Sequence, residues 1–243
     1  MTERREIARR ALALLDLTDL SDDCTDDAVS KLCRRAVTPH GLVAAVCVWP
    51  RFVRRAKVAL TGTPVRVATV VNFPSGDERI TDVVDMTRRA IDDGADEIDV
   101  VIPYRAVLAG DDARAVETLA NVRQAAARPI LVKVIVETGE LPDDRSIVRC
   151  ARLAIDAGAD FIKTSTGKTK TSATIDAVET MLSVIAETAR PVGIKPSGGI
   201  KTLDDAARYL AAADRIMGAE WVRPATFRFG ASGLLGGILD ELS

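Results

Sequence analysis

Asp160-Phe161-Ile162-Lys163-Thr164-Ser165-Thr166-Gly167-Lys168 begins as a short apolar strand and then dissolves into a small, hydroxyl-rich loop. The strand places the Lys163 ammonium where a packed interior would otherwise take an aliphatic side chain. The pattern returns as Val192-Gly193-Ile194-Lys195-Pro196-Ser197-Gly198-Gly199, with a second lysine near the end of an apolar strand and a second loop of small residues. Two such lysines indicate one shared site. Lysine is scarce here, with eight against 25 arginines. Where arginine is the default surface cation, a lysine kept inside an apolar strand suits chemistry, because only the ammonium can lose its proton near neutral pH. A structural reading, in which both lysines cap interior carboxylates, stands beside the catalytic one.

Outward from this stretch, apolar strands are predicted at about 42–48, 66–72, 96–102, 130–136, 160–164, 192–196, 215–218 and 226–230, separated by helical patterns. Near-continuous apolar strands are those covered on both faces, as in a parallel sheet wrapped by helices. Asp93-Gly94-Ala95-Asp96-Glu97-Ile98-Asp99 is echoed by Ala157-Gly158-Ala159-Asp160-Phe161-Ile162-Lys163 and more faintly by Ala212-Ala213-Asp214-Arg215-Ile216. Each reads as a helix end, a turn and a strand, with Gly94 and Gly158 suited to the left-handed position after a helix. Eight such units close as an α/β protein, a (β/α)8 TIM barrel, whose active site lies at the C-terminal ends of the strands. Those ends carry Cys47, Asn72, Asp99, Lys133, Lys163 and Lys195. Extra N-terminal helices over 3–15 and 26–36 precede the first predicted strand and are placed to plug one end; Asp16, after the first, reads as a cap.

At 243 residues and 47% hydrophobic, the chain reads as one barrel domain over 1–243. Its 33 Lys plus Arg against 35 Asp plus Glu favour neither nucleic acid nor a membrane surface. The run Gly41–Pro50 falls well short of the roughly 18 residues of a span. No signal peptide is evident, and Cys24, Cys33, Cys47 and Cys150 are too dispersed for a C-x-x-C motif, so a cytoplasmic protein with reduced thiols is expected. One histidine, His40 in a turn, cannot build an N/S zinc site, although an all-carboxylate Mg²⁺ site stays open. A homodimer is allowed, since helical faces of this fold can pair without a sequence signature.

Asp99 alternates with Glu97 and Val101 on one strand face. A carboxylate beside an amine nucleophile can shuttle protons during carbinolamine formation and dehydration, which need both an acid and a base. Its plainer role is to pair with Lys133, Lys163 or Lys195, and the two are compatible. Thr166-Gly167-Lys168-Thr169 resembles the end of a P-loop, but the first glycine of that motif would fall at Ile162, inside the strand. Small-residue loops at Thr166–Lys168, Ser197–Gly199 and Gly230–Gly233 can still hold one phosphate through backbone N–H groups and Lys168; plain tight turns are the alternative. Cys47 reads as a packed thiol near the mouth, with no histidine to make it a thiolate.

Several segments resemble deoxyribose-phosphate aldolase of the class I, Schiff-base type: Leu15-Asp16-Leu17-Thr18, Val46-Cys47-Val48-Trp49-Pro50, Asn72-Phe73-Pro74, Glu97-Ile98-Asp99-Val100-Val101, Leu131-Val132-Lys133-Val134, Phe161-Ile162-Lys163-Thr164-Ser165-Thr166-Gly167, Gly193-Ile194-Lys195-Pro196-Ser197-Gly198-Gly199 and Arg228-Phe229-Gly230-Ala231-Ser232. The resemblance implies reversible cleavage of 2-deoxy-D-ribose 5-phosphate to D-glyceraldehyde 3-phosphate and acetaldehyde, with no cofactor. It implies that Lys163 forms the Schiff base and that Asp99 and Lys195 handle protons. Cys47, Asp16, Lys133 and Thr164 would line the substrate pocket, and Gly167, Lys168, Gly198, Gly199, Ser232 and Gly233 would hold the phosphate. Some relatives carry a second serine where this chain has Gly233, and a terminal tyrosine beyond the position of Leu242-Ser243. Another Schiff-base barrel enzyme, or a non-catalytic sugar-phosphate binder, are the rival readings.

Overall fold

The computed structural model describes residues 2–243. Its barrel strands are β1 (Leu15–Asp19), β2 (Ala45–Val48), β3 (Arg66–Val71), β4 (Glu97–Val101), β5 (Leu131–Ile135), β6 (Phe161–Lys163), β7 (Gly193–Lys195) and β8 (Phe229–Ala231). The helices are α1 (Glu3–Ala13), α2 (Asp26–Arg35), α3 (Val53–Ala59), α4 (Ile80–Asp92), α5 (Tyr104–Leu108), α6 (Asp112–Ala125), α7 (Asp144–Asp156), α8 (Ile175–Glu187), α9 (Leu203–Met217) and α10 (Leu234–Leu242). From β1 to β7 each strand pairs in parallel with its neighbours in chain order, and β1 also pairs with β8. The remaining seam, between β7 and β8, is closed by Ile194 N–H to Thr226 C=O at 2.8 Å, Arg228 N–H to Ile194 C=O at 3.0 Å and Gly230 N–H to Pro196 C=O at 2.9 Å. The expected TIM barrel is formed.

The helices are set by ordinary local chemistry. Asp143 caps α7 by accepting from Ser146 N–H, and the helix buries Ile147, Cys150, Ala151, Ala154 and Ile155 against the sheet. Burying an isoleucine of this kind stabilises the fold by roughly 1.5–3 kcal/mol. Gly158 ends the helix with φ +97°, and Gly94 does the same after α4 with φ +104°, the left-handed conformations anticipated for both. A reciprocal capping box between Thr202 and Asp205 starts α9.

Two sequence expectations are corrected. Residues 215–217 belong to the last turn of α9, not to a strand; Asp214-Arg215-Ile216-Met217 continues the helical period of Leu203, Ala206, Leu210 and Ala213 until Gly218 stops it at φ +87°. The strand missing from the predicted eight is β1, which follows α1 after a single residue, Leu14. The helix therefore ends at Ala13, and Asp16 is a buried strand residue instead of a cap. It follows that α2 is the crossover from β1 to β2, leaving α1 as the helix that precedes the barrel. Arg4 and Arg10 tie α1 to Glu241 on α10 and Asp214 on α9. No described helix is long and apolar enough to cross a membrane.

Candidate active site

Strand register brings the polar residues of the interior to common levels. Asp99 is paired with Lys133 across β4 and β5, and Lys163 with Lys195 across β6 and β7. The Lys133 ammonium donates to Asp99 Oδ1 at 2.7 Å, while Lys163 and Lys195 both donate to Oδ2, each at 2.9 Å. One carboxylate thus receives three ammoniums, all in side chains at most 2% exposed.

Their surroundings differ. Lys195 also lies 2.6 Å from Asp16 Oδ2, and Lys133 lies 2.6 Å from Glu97 Oε2 and 3.7 Å from Asp16 Oδ2. Arg228, the residue before β8, donates to Asp16 Oδ1 at 2.6 Å and to Glu97 Oε1 at 3.1 Å. Lys163 has Asp99 as its ion-pair partner within the cluster. The proton affinities follow this inequality. Burial is the largest influence on Lys163 and, with the charge on Lys195, holds it below the ordinary lysine value against the pull of Asp99. Burial acts on Lys133 and Lys195 too, but two or more carboxylates outweigh it and push both upward. Burial would raise Asp99, yet the three lysines hold it well below the usual carboxylate range. The layer therefore sets an amine that gives up its proton more readily than an ordinary lysine beside a carboxylate and an ammonium biased toward their charged forms.

Above this layer lies a cavity of about 500 Å³, walled by the loops after β1, β6, β7 and β8. Gly167, Lys168, Gly198, Gly199 and Ser232 line it, so five of the six residues expected to hold a phosphate meet at one place. Gly233 is the residue before α10 and does not line the cavity. Gly198 is needed in the wall: its φ is +81°, and a Cβ there would stand 2.5 Å from Ser172 Oγ. Lys168 is engaged elsewhere, 2.8 Å from Asp22 and 5.6 Å over the Trp49 ring. Arg35 and Lys201, which sequence reasoning did not single out, add two further cations to the rim.

Four residues expected to line the substrate pocket sit deeper than that. Asp16 and Lys133 are fully buried in the ion cluster. Cys47 is fully buried too, and burial pushes its thiol upward, away from the thiolate. The Thr164 hydroxyl accepts from Ser197 N–H at 3.0 Å and donates to Ser197 C=O at 3.3 Å, strapping the β6 loop to the β7 loop. His40 is exposed in a turn, as expected.

Sequence reasoning also missed Glu137. It sits just after β5 with left-handed backbone, φ +58°, and its carboxylate accepts from the Thr166 N–H and hydroxyl. A left-handed non-glycine residue, fully buried and anchoring the lysine loop, is the kind of strain that clusters at functional sites.

Comparison with known proteins places this geometry in a family. The profile of the DeoC/LacD family aldolases matches residues 10–235. A deoxyribose-phosphate aldolase from Agrobacterium fabrum is 52% identical over 240 residues, covering 98% of this chain and 93% of that one. Among solved structures, a candidate deoxyribose-phosphate aldolase from Toxoplasma gondii ME49 superposes with a TM-score of 0.90 at 28% identity, covering 98% and 96% of the two chains. Another from Coccidioides immitis gives 0.84 at 31%, covering 95% and 85%. The chain, a barrel with an ion-paired lysine layer beneath a loop-walled cavity, belongs to the DeoC/LacD family of aldolases, which are carbon–carbon lyases.

Proposed function

We propose that this aldolase reversibly cleaves 2-deoxy-D-ribose 5-phosphate to D-glyceraldehyde 3-phosphate and acetaldehyde through a Schiff base on Lys163. The observation that carries the reading is the unequal pairing of the three buried lysines, which leaves Lys163 with one carboxylate while Lys133 and Lys195 have two or more. The name of the Agrobacterium relative supports the choice of substrate.

The steps follow from the placement of the groups. The free Lys163 amine adds to C1 of the open-chain sugar, giving a carbinolamine that loses water to an iminium. The C3 hydroxyl then gives up its proton, the C2–C3 bond breaks, and its electron pair moves into the iminium to form an enamine. D-Glyceraldehyde 3-phosphate leaves as the C3 aldehyde. Protonation of the enamine at C2 and hydrolysis release acetaldehyde and restore the amine. Asp99 bonds to both lysines and can accept and return protons next to the reacting nitrogen, while Lys195 supplies the acidic partner. The iminium is the electron sink that C–C cleavage requires. The loops around Gly167, Gly198 and Ser232 hold the phosphate with backbone N–H groups at the far end of the substrate.

Borohydride reduction in the presence of acetaldehyde, followed by peptide mapping, tests the reading. The expected result is N-ethylation of Lys163 with loss of activity. Labelling at another lysine, or none, would overturn it.

A further inference from the structure

Seven side chains form one continuous buried ion cluster: Asp16, Glu97 and Asp99 on the acidic side, Lys133, Lys163, Lys195 and Arg228 on the basic side. Four cations thus face three carboxylates, and one positive charge is in excess. A low-dielectric interior penalises an uncompensated charge heavily, and the least costly relief is for the most weakly paired cation to lose its proton. Arginine cannot do so. Lys133 has three carboxylates within reach and Lys195 has two, so the proton is lost at Lys163.

We propose that Arg228, seated with Glu97 at the N-terminal end of the barrel interior, is a positioning residue that keeps Lys163 free of its proton by supplying the excess charge. Arg228 touches neither Lys163 nor Asp99; it acts by occupying Asp16 Oδ1 and Glu97 Oε1. Without it, three carboxylates would face three lysines, and Lys163 could stay an ammonium in a balanced cluster. The inference rests on Lys163 being the reacting amine.

Other charged or titratable groups facing the cluster are the same with and without Arg228. Cys47, from β2, is a thiol pushed upward by burial. Glu137, after β5, is hydrogen-bonded by Thr166 and forms no ion pair within the cluster; burial raises it, while the Thr166 bonds and the charge of Lys163 draw it down. Arg66, from β3, lies 3.7 Å from Glu97 but is half exposed, so solvent screens it.

The test compares the full-length protein with Arg228→Gln, Glu97→Gln and the double variant. Protonation of Lys163 is followed by the pH dependence of its Cε resonance in ¹³C-lysine-labelled protein, assigned through Lys163→Arg, and imine formation by the pH dependence of borohydride trapping. One charge removed at roughly 10 Å in a medium of effective dielectric near 20 shifts a titration by about one pH unit. Arg228→Gln is expected to move the Lys163 titration upward by about that much, with about a tenfold slower trapping below it. Glu97→Gln is expected to move it downward. The double variant is expected to return close to the unmodified protein. A floor that only packs would lower turnover in all three with the Lys163 titration unmoved. That result, or shifts of the same sign in both single variants, would overturn the proposal. Should one single variant fail to fold, the sign of the shift in the other decides. A protein whose Lys163 is never trapped by acetaldehyde would overturn the Schiff-base reading instead, while the resonance would still report the charge balance.

Discussion

Lys163 and Lys195 share one oxygen: both ammoniums donate to Asp99 Oδ2 at 2.9 Å, from register-paired ends of β6 and β7. The arrangement ties the proposed nucleophile to the proposed acid through a single carboxylate, so that a proton can pass between them without either strand moving.

The phosphate reading is tested at the cavity rim. Ser232 is exposed on the β8 loop and lines the cavity with Gly167 and Gly198. Ser232→Glu is expected to raise KM for 2-deoxyribose 5-phosphate by at least about tenfold, since it sets a charge against the phosphate, and to leave unphosphorylated 2-deoxyribose nearly unchanged. Equal losses on both substrates would make the loop a structural element only.

Lys168 offers a change in the opposite direction. Its ammonium is held 2.8 Å from Asp22, whose carboxyl it draws below the usual range by a hydrogen bond and its charge. The lysine must turn from that partner to reach a phosphate. Asp22→Asn is expected to lower KM for the phosphorylated sugar about two- to fivefold, the modest scale of an exposed pair. Steady-state kinetics on both sugars check it: an unchanged or raised KM would mean that Lys168 does not move to the phosphate.

How much of this was legible in the sequence depended on how local the signal was. An ammonium inside Phe161-Ile162-Lys163 is anomalous within three residues, and so is the one in Gly193-Ile194-Lys195; both announced themselves, and the register then placed them side by side. Glu97 was visible only as a residue alternating with Asp99. Asp16 was misread because one residue separates α1 from β1, so the helical and strand periods merge at Leu14-Leu15. The echo at Asp214-Arg215-Ile216 misled because it lacks the glycine that stops the helix in the two true copies. Arg228 could not be assigned at all: its partners lie 212 and 131 residues away, and only barrel closure brings β8 to β1 and across to β4.

Metal dependence is a separate matter. Among the described residues, no group of three or more His, Cys, Asp and Glu is arranged to hold a metal ion. The carboxylates of the interior are spent on lysines and Arg228, which would have to be displaced by a cation. Exhaustive chelation is expected to leave the cleavage rate unchanged. A loss of activity restored by Zn²⁺ or Mg²⁺ would require a different electron sink.

The role of Lys195 can be separated into charge and proton transfer. A lysine with an ordinary pKa of roughly 10.4 is a free amine in only about one molecule in 2,500 at pH 7, which is too few for an efficient nucleophile. Burial comes first among the influences that lower Lys163, and the neighbouring charge of Lys195 adds to it while Asp99 opposes both. Lys195→Leu removes the repulsion and leaves the burial. The Lys163 profile should therefore move to higher pH by about one unit, and stop short of the ordinary lysine value. Because the free amine increases with pH, the variant should recover imine formation as the pH is raised. It should not recover turnover, since loss of a general acid typically costs about 10²–10⁴-fold in rate. The two are read separately, by the pH dependence of borohydride trapping and by cleavage kinetics. Trapping that keeps its pH profile while turnover falls would reduce Lys195 to an acid/base group; turnover restored at high pH would make it a charge alone.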